Sequence, residues 1–204
     1  MLLSFCNLIS KPKAFNVNMI LPIVSYGNSI LKKKTQEINA SYPQLQELID
    51  NMFESMYAAN GVGLAAPQIN LNIRLFTVDA SPFAEDDPLA KGFKKVFINP
   101  VILERTGEDI LFEEGCLSFP GLHEGIIRKA DIRIKYFDEN FNEFEEAYSG
   151  IRSRIIQHEY DHLEGILMID HLSNLKKMIL KRRLKEISVG LVEAAYKMRF
   201  ASRP

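Results

Sequence analysis

The segment HEYDH, residues 158–162, constrains the fold of this chain more than any other part of its sequence. On a helix, residues i and i+4 lie one above the other, so His158 and His162 can reach one metal ion. Apolar residues flank the segment and predict that this helix is partly buried, where two imidazoles without a ligand would be costly. The sequence therefore predicts a helical metal site inside the fold rather than two histidines on a solvated helix face.

Glu159 gives the predicted site a hydrolytic character. It follows the first histidine directly, and metal binding lowers the pKa of a water molecule to about 7. Glu159 could take the proton from that water and later pass it to a leaving group. A catalytic site of this type needs three protein ligands and one open position. The sequence thus predicts a metal-dependent hydrolase whose third ligand lies elsewhere in the chain.

The third ligand can be sought on either side of this helix. Downstream, His171 and Glu186 stand outside any recognisable ligand motif. Upstream, Cys116 stands in the segment EGCLSFP, residues 114–120. A lone cysteine is more often a small buried apolar residue than a ligand, but the preceding Gly115 allows a ligand to approach the backbone closely. Spacing alone leaves these candidates open.

A glycine-rich segment, GVGLAAPQ at residues 61–68, is the third signal. Its glycines and small residues indicate a tight stretch against which another group can pack. No predicted strand precedes it and a third glycine is missing, which argues against a dinucleotide-binding turn. No Gly-Lys-Ser/Thr follows, as a phosphate-binding loop would require. Gln68 at its end could be an ordinary surface amide.

The hydrophobic periodicity predicts an α+β fold rather than a parallel doubly wound one. The expected elements are, in order, a helix at 41–60, a strand at 73–79, a loop at 81–92, β-structure over 95–148 with a hairpin at 138–140, a helix from 150 to a stop at 165, and a last helix at 174–198. Ser41 with Gln44 is expected to cap the first helix, and Ser149 and Gly165 to begin and end the second. Antiparallel sheets should surround the central helix that carries HEYDH, with one helix before and one after them.

Composition limits the class of protein. The 204 residues are 47% apolar and 25% charged with a formal net charge of −1, which argues against a DNA-binding protein with a broadly basic face. No apolar run approaches the ~20 residues of a membrane span, and the two cysteines, Cys6 and Cys116, are typical of a reducing cytoplasm. Residues 1–18 carry neither an arginine nor a signal-peptide pattern, so we expect a dispensable extension. Residues 19–204 should form a single, monomeric catalytic domain.

The three segments together resemble the peptide deformylase family. That family is marked by a GxGxAAxQ, an EGCLS and a QHExDH segment in that order, and this chain carries GVGLAAPQ, EGCLSFP and QHEYDHLEG. The similarity runs from Met19 to the last helix. It departs at Ser29, Asn70 and Ser153, where proline, glycine and alanine are frequent. These changes affect loop geometry rather than a ligand.

The resemblance implies a reaction and a role for each motif residue. The reaction is removal of the N-formyl group from the initiator methionine of newly made polypeptides, with release of formate. The implied metal ligands are Cys116, His158 and His162. Glu159 would be the general acid and base for the attacking water, while the Gln68 amide and the Leu117 N–H would stabilise the oxyanion. One divalent ion is implied, with Fe²⁺ expected and Zn²⁺, Ni²⁺ or Co²⁺ as alternatives.

The resemblance also places the substrate. An extended N-formylmethionyl peptide would pair with the backbone at Gly63 and Gly115 in the manner of strand addition. Its methionine side chain would enter an apolar pocket lined by Val62, Ile151 and Ile155. Arg128 aligns with a family arginine near the peptide, although it could equally be a surface cation on a strand. His123 and His171 are expected to have no catalytic part.

The last predicted helix begins with a dense basic run, formed by Lys176, Lys177, Lys181, Arg182, Arg183 and Lys185. This run could be a solvated face beside an apolar stripe. The resemblance offers a partner instead, the large ribosomal subunit near the tunnel exit, bound through salt-sensitive phosphate contacts.

Two other functions stay open at this point. A zinc peptidase would use the same two histidines, cleave internal peptide bonds and need no Cys116. A non-catalytic metal- or peptide-binding module would keep its metal, and its background activity would not depend on Glu159.

Overall fold

The structure, a computed structural model, describes residues 19–201. The predicted N-terminal extension, residues 1–18, lies outside the described residues, as do residues 202–204. The helices of the described part are α1 (Leu45–Ala58), α2 (Gly150–Leu163) and α3 (Asn174–Ser188). The strands are β1 (Ile23–Val24), β2 (Gly63–Ala65), β3 (Leu75–Asp79), β4 (Lys94–Gly115), β5 (His123–Phe137), β6 (Glu143–Tyr148) and β7 (Met198–Arg199).

One five-stranded antiparallel sheet, in the order β2-β3-β4-β5-β6, forms the body of the fold. Alternation in β5 turns Ile132, Ile134 and Tyr136 into the core, while the side chains of Arg133 and Lys135 stay about half exposed. The α2 helix packs against β2, β3 and β5 and shares their apolar core. The predicted α+β fold is confirmed, and α2 contains the HEYDH segment.

The first helix starts later than predicted, at Leu45 rather than at residue 41. The predicted capping box does not form, because Gln44 has a left-handed backbone with φ of 53° and makes no side-chain cap. The Ser41 hydroxyl instead donates to Asn39 Oδ1 at 2.6 Å. The Ser41 hydroxyl is thus used in a local turn with the Asn39 side chain and does not cap the helix.

The last helix also differs from the prediction, since it ends at Ser188 and not at residue 198. The chain turns at Gly190, where φ is 76°, and returns to pair β7 with β1 in parallel. This second, two-stranded sheet therefore departs from the expectation of antiparallel sheets alone. None of the helices within residues 19–201 is both long and apolar enough to cross a lipid bilayer.

The α2 helix has the predicted ends. Ser149 is its N-cap residue, with an extended backbone but no side-chain cap bond. Gly165 follows its last turn with φ of 72°, a left-handed conformation that strains any residue with a Cβ. A Cβ at Gly165 would also lie 2.7 Å from the Lys32 carbonyl oxygen.

Gly165→Ala should therefore destabilise the protein more than the matched variant Gly92→Ala. Gly92 has nearly the same backbone, with φ of 68°, but a Cβ there would meet no atom within 4 Å. Both variants bear the left-handed backbone strain of about 1–2 kcal/mol, and only the first adds a clash with backbone. We expect a difference of at least about 1 kcal/mol in the free energy of unfolding, measured in urea. Equal losses would contradict this account.

Candidate functional site

A cleft of about 440 Å³ opens between the N-terminal part of α2, the end of β4 and the glycine-rich segment at residues 61–68. The residues predicted for the site line this cleft with two exceptions, His162 and Arg128. The lining residues from that prediction are Val62, Gly63, Gln68, Gly115, Cys116, Leu117, Ile151, Ile155, His158 and Glu159. Tertiary folding thus brings all three sequence segments to one surface.

Three potential metal ligands converge at the base of the cleft. Cys116, His158 and His162 each offer one ligand atom, and these atoms lie within 4.8 Å of one another. The Cys116 Sγ lies 3.3 Å from the His162 Nε2. The two histidines come from successive turns of α2, and the cysteine comes from the turn that follows β4. One thiolate and two imidazoles suit a tetrahedral ion with its fourth position open.

The other candidate ligands lie elsewhere. His171 Nε2 bonds to Asp161 Oδ2 at 2.7 Å, and Glu186 pairs with Arg182 on the exposed face of α3. The ambiguity left by spacing is thus resolved by the fold, because the β4 strand delivers Cys116 to the two histidines.

The surroundings of the histidines fit a bound divalent ion. Glu114 Oε2 accepts a hydrogen bond from His158 Nδ1 at 2.9 Å, which leaves Nε2 for a metal. Burial lowers the pKa of His158, but its bonds to Cys116 and Glu114 outweigh this and raise the pKa well above 6.5. Burial, together with the charge on His158, lowers the pKa of His162 to about 3. An ion binding here would displace the His158 proton, as metal binding commonly does.

Glu114 is a site residue that the sequence analysis assigned no role. It accepts bonds from Arg128 at 2.7 and 3.0 Å and from Arg154 at 3.0 Å. Burial raises the pKa of Glu114, but the bonds from His158 and Arg128 outweigh it and hold the pKa far below its usual value. A general rule could have predicted a carboxylate partner for His158, since metal-bound histidines often donate their second ring N–H to a carboxylate.

Arg128 does not lie where the sequence analysis placed it. Its side chain is only 4% exposed and bridges Glu114 to Asp161, whose Oδ2 is 2.6 Å from the guanidinium. A guanidinium with two buried carboxylate partners has no reason to turn toward a peptide. Arg128 therefore links β4, through Glu114, to α2, through Asp161, and it is not among the residues that line the cleft.

Glu159 is buried beside the three candidate ligand residues. Burial raises the pKa of its carboxyl to about 7, which suits a group that must take and give a proton near neutral pH. Its Oε2 has no hydrogen-bond partner within the described part of the chain. A Cβ at Gly63 would lie 2.7 Å from the Glu159 Cδ, so only glycine leaves room for the carboxylate.

Gln68 is buried and its amide is oriented. Its Oε1 accepts a hydrogen bond from the Ala65 N–H at 2.8 Å, so its NH₂ group faces the turn after β4 that carries Cys116. There Nε2 lies 3.6 Å from Cys116 Sγ and 3.4 Å from Ser118 Oγ. The alternative of an ordinary surface amide is wrong, because Gln68 is 1% exposed.

Two of the aromatic residues that line the cleft, Phe83 and Tyr196, were not among the residues predicted for the site. Phe83 belongs to the 81–92 loop and packs with Val62 and Ile151 on the apolar side. Tyr196 comes from the chain between α3 and β7, a stretch predicted to be helical, and lines the cleft near Leu117. Both arrive from segments without a motif, so only the folded chain shows them.

Comparison with known proteins agrees with this geometry. The sequence matches the family model described as Polypeptide deformylase over residues 20–178, which include the three converging ligands. A peptide deformylase of Christiangramia forsetii is 53% identical over 189 residues, covering 89% of this chain and 96% of the relative. One of Flavobacterium psychrophilum is 48% identical, covering 91% of this chain and 99% of the relative.

Solved structures resemble this fold as well. A peptide deformylase from Legionella pneumophila is 36% identical with a TM-score of 0.72, covering 82% of this chain and 95% of its own. A Plasmodium falciparum peptide deformylase in complex with an inhibitor is 34% identical with a TM-score of 0.70, covering 81% of this chain and 97% of its own. Because sequence and fold match over most of the chain, the protein belongs to the peptide deformylase family of enzymes.

Proposed function

We propose that this protein removes the N-formyl group from the initiator methionine of newly made polypeptides and releases formate. The observation that carries this proposal is the convergence of Cys116, His158 and His162 within 4.8 Å beside the buried Glu159. A thiol in this trio favours the proposal over the zinc peptidase, whose chemistry does not require Cys116.

Cys116, His158 and His162 would hold a divalent ion, which would supply Lewis acidity and lower the pKa of a water molecule to about 7. Glu159 takes the proton of the attacking water at its free Oε2. It then passes this proton to the amine that leaves as the formamide C–N bond breaks. The Gln68 NH₂ and the Leu117 N–H donate to the carbonyl oxygen as negative charge develops on it. One such donor contributes about 3–4 kcal/mol to transition-state stabilisation.

We further propose Fe²⁺ as the ion. The donor set supports a soft divalent metal, because one thiolate and two neutral imidazoles leave a net charge of about +1 on the centre. Zn²⁺, Ni²⁺ and Co²⁺ suit the same tetrahedral donors and are the alternatives. Metal analysis of protein purified without air distinguishes them.

The substrate would lie along the cleft as an extended peptide. Gly63 and Gly115 both line it and present backbone without side chains. The methionine side chain would enter the apolar part, formed by Val62, Ile151, Ile155 and Phe83. Apolar walls beside a few oriented polar groups are typical of small-ligand sites.

The decisive experiment compares formyl-Met-Ala-Ser with an unblocked longer peptide, using enzyme loaded with ferrous or cobalt ion. We expect formate from the first and no internal cleavage of the second. Cys116→Ser should lose both bound metal and formate release, whereas Cys6→Ser, a matched change outside the described residues, should keep both. No formate from the loaded enzyme would reject the proposal, and cleavage of the unblocked peptide would favour a peptidase.

We also propose that α3 docks the enzyme on the large ribosomal subunit. Its apolar residues Leu175, Met178 and Ile179 are 69–72% exposed and lie beside basic residues that could meet phosphates. Reversing Lys181 and Arg182 to glutamate should abolish co-sedimentation with ribosomes at low salt. Arg183 is left unchanged in this variant because it donates to the Pro120 carbonyl at the cleft. Undiminished co-sedimentation would reject the docking proposal alone.

A further inference from the structure

Tyr196 reaches the cleft through the unexpected course of the C-terminal chain. After α3 the chain returns along β1, and Ile23 N–H and Ser25 N–H donate to the carbonyls of Lys197 and Arg199 at 2.8 and 2.9 Å. This pairing places the half-buried Tyr196 on the cleft wall. Its hydroxyl donates to the Leu117 carbonyl oxygen at 2.8 Å.

The turn that carries Cys116 and Leu117 has its three carbonyls held by three different parts of the chain. The Cys116 carbonyl accepts from Phe119 N–H at 2.8 Å, and the Ser118 carbonyl accepts from Tyr26 N–H at 2.9 Å. The Leu117 carbonyl between them is held by the Tyr196 hydroxyl. The turn's backbone is therefore restrained on both sides of Leu117.

These restraints determine where the Leu117 N–H points. No peptide bond of the described residues is cis, and in a trans peptide the N–H points opposite to the carbonyl of the preceding residue. Because the Cys116 carbonyl is turned toward Phe119, the Leu117 N–H is turned away from it. The Tyr196 bond restrains the next peptide plane and so keeps Leu117 from rotating about its own dihedral angles.

We propose that Tyr196 is a positioning residue for the reaction, because its hydroxyl holds the Leu117 backbone so that the Leu117 N–H aims at the oxygen of the scissile carbonyl. This inference rests on the proposed function. A donor that acts on developing charge must be oriented before the reaction, since reorienting it would use up part of the stabilisation that it provides. Tyr196 itself need not touch the substrate.

Tyr196→Phe tests the hydroxyl and keeps the tail in place. The ring packs in the same apolar cluster as Leu117, and the backbone bonds between β1 and β7 do not involve the hydroxyl. The metal-loaded variant should have a kcat for formyl-Met-Ala-Ser about 10-fold lower than the wild type. Its KM, bound metal and urea midpoint should stay unchanged.

Tyr57→Phe is the matched control. It also removes a tyrosine hydroxyl that donates a hydrogen bond, to Asp79 at 2.7 Å, but neither Tyr57 nor Asp79 is among the residues that line the cleft. Its kcat should equal that of the wild type. An unchanged kcat in Tyr196→Phe, with an active wild type, would overturn this inference alone. A kcat loss accompanied by equal losses of stability and bound metal would overturn it too, since that pattern marks a merely structural residue. An inactive wild type would overturn the proposed function and this inference with it.

Discussion

Replacing Glu159 by glutamine should lower kcat for formate release by about 10²–10⁴-fold while the enzyme still binds its metal. Glutamine has nearly the same shape as glutamate but cannot accept the proton of the attacking water. Its three neighbouring ligands, Cys116, His158 and His162, remain in place. The measurement is single-substrate kinetics on formyl-Met-Ala-Ser, with metal content determined on the same preparation.

The control for this variant is Glu164→Gln. Glu164 is the C-cap residue of α2, but it pairs with Arg74 and Lys34 and is not among the residues that line the cleft. Its variant should keep kcat. A wild-type rate in Glu159→Gln would remove Glu159 from the mechanism, whatever its position.

Gly63→Ala provides an independent approach to the same carboxylate. The added methyl group would overlap the Glu159 carboxylate and push it away from its present position. We expect kcat to fall with little change in bound metal, because no ligand residue is touched. A variant with full activity would show that the carboxylate can work from a second position.

Replacing Glu114 by glutamine should lower the free energy of unfolding of the metal-free protein by about 3–5 kcal/mol. The change leaves Arg128 and Arg154 buried with one carboxylate partner fewer, and Asp161 alone remains for Arg128. Urea unfolding in the presence of a chelator measures the loss without a contribution from metal affinity.

The difference in the free energy of unfolding between the wild type and Glu114→Gln should become smaller at acidic pH. The pKa of Glu114 lies far below its usual 4.5 in the folded protein, so its stabilising effect is complete above pH 4.5 and declines as the pH falls below that value. The gap between wild type and Glu114→Gln should shrink by about 1.4 kcal/mol per pH unit below 4.5. A gap that stays constant down to pH 3.5 would contradict the assignment of the stability to this carboxylate.

Glu104→Gln is the matched control for burial. Glu104 lies on β4, the same strand as Glu114, and also accepts a hydrogen bond from an arginine, Arg133, at 2.5 Å. The side chains of Glu104 and Arg133, however, are both about half exposed. Solvent screens such pairs, so the urea midpoint of this variant should not move measurably.

Several local features of this protein could be predicted from sequence. The spacing of His158 and His162 predicts a helix on which both can reach one ion, and α2 contains both. The alternation of Ile132, Ile134 and Tyr136 predicted a half-buried strand, and β5 has it. These predictions succeed because the period of a helix or a strand is a property of the backbone and needs no knowledge of the partner surface.

Other features escaped sequence analysis because they depend on distant parts of the chain. The last helix was predicted to continue to residue 198, with Leu191 in its apolar stripe, whereas β1 offered a strand edge that β7 could pair with. Arg128 looked like a candidate for peptide binding, whereas the fold surrounds it with Glu114 and Asp161. A side chain's charge and position in a motif do not reveal which partner will be buried against it.

The HEYDH segment by itself determined that the protein has a helix with two adjacent imidazoles and a carboxylate. The tertiary structure decided which residue joins the two histidines as the third candidate ligand, because β4 and the turn after it bring Cys116 within 4.8 Å of those imidazoles. It also decided the state of the site, since burial sets the pKa of Glu159 and the Glu114 bond orients His158. Periodicity is a property of the local sequence, whereas burial and electrostatic partners exist only once the chain has folded.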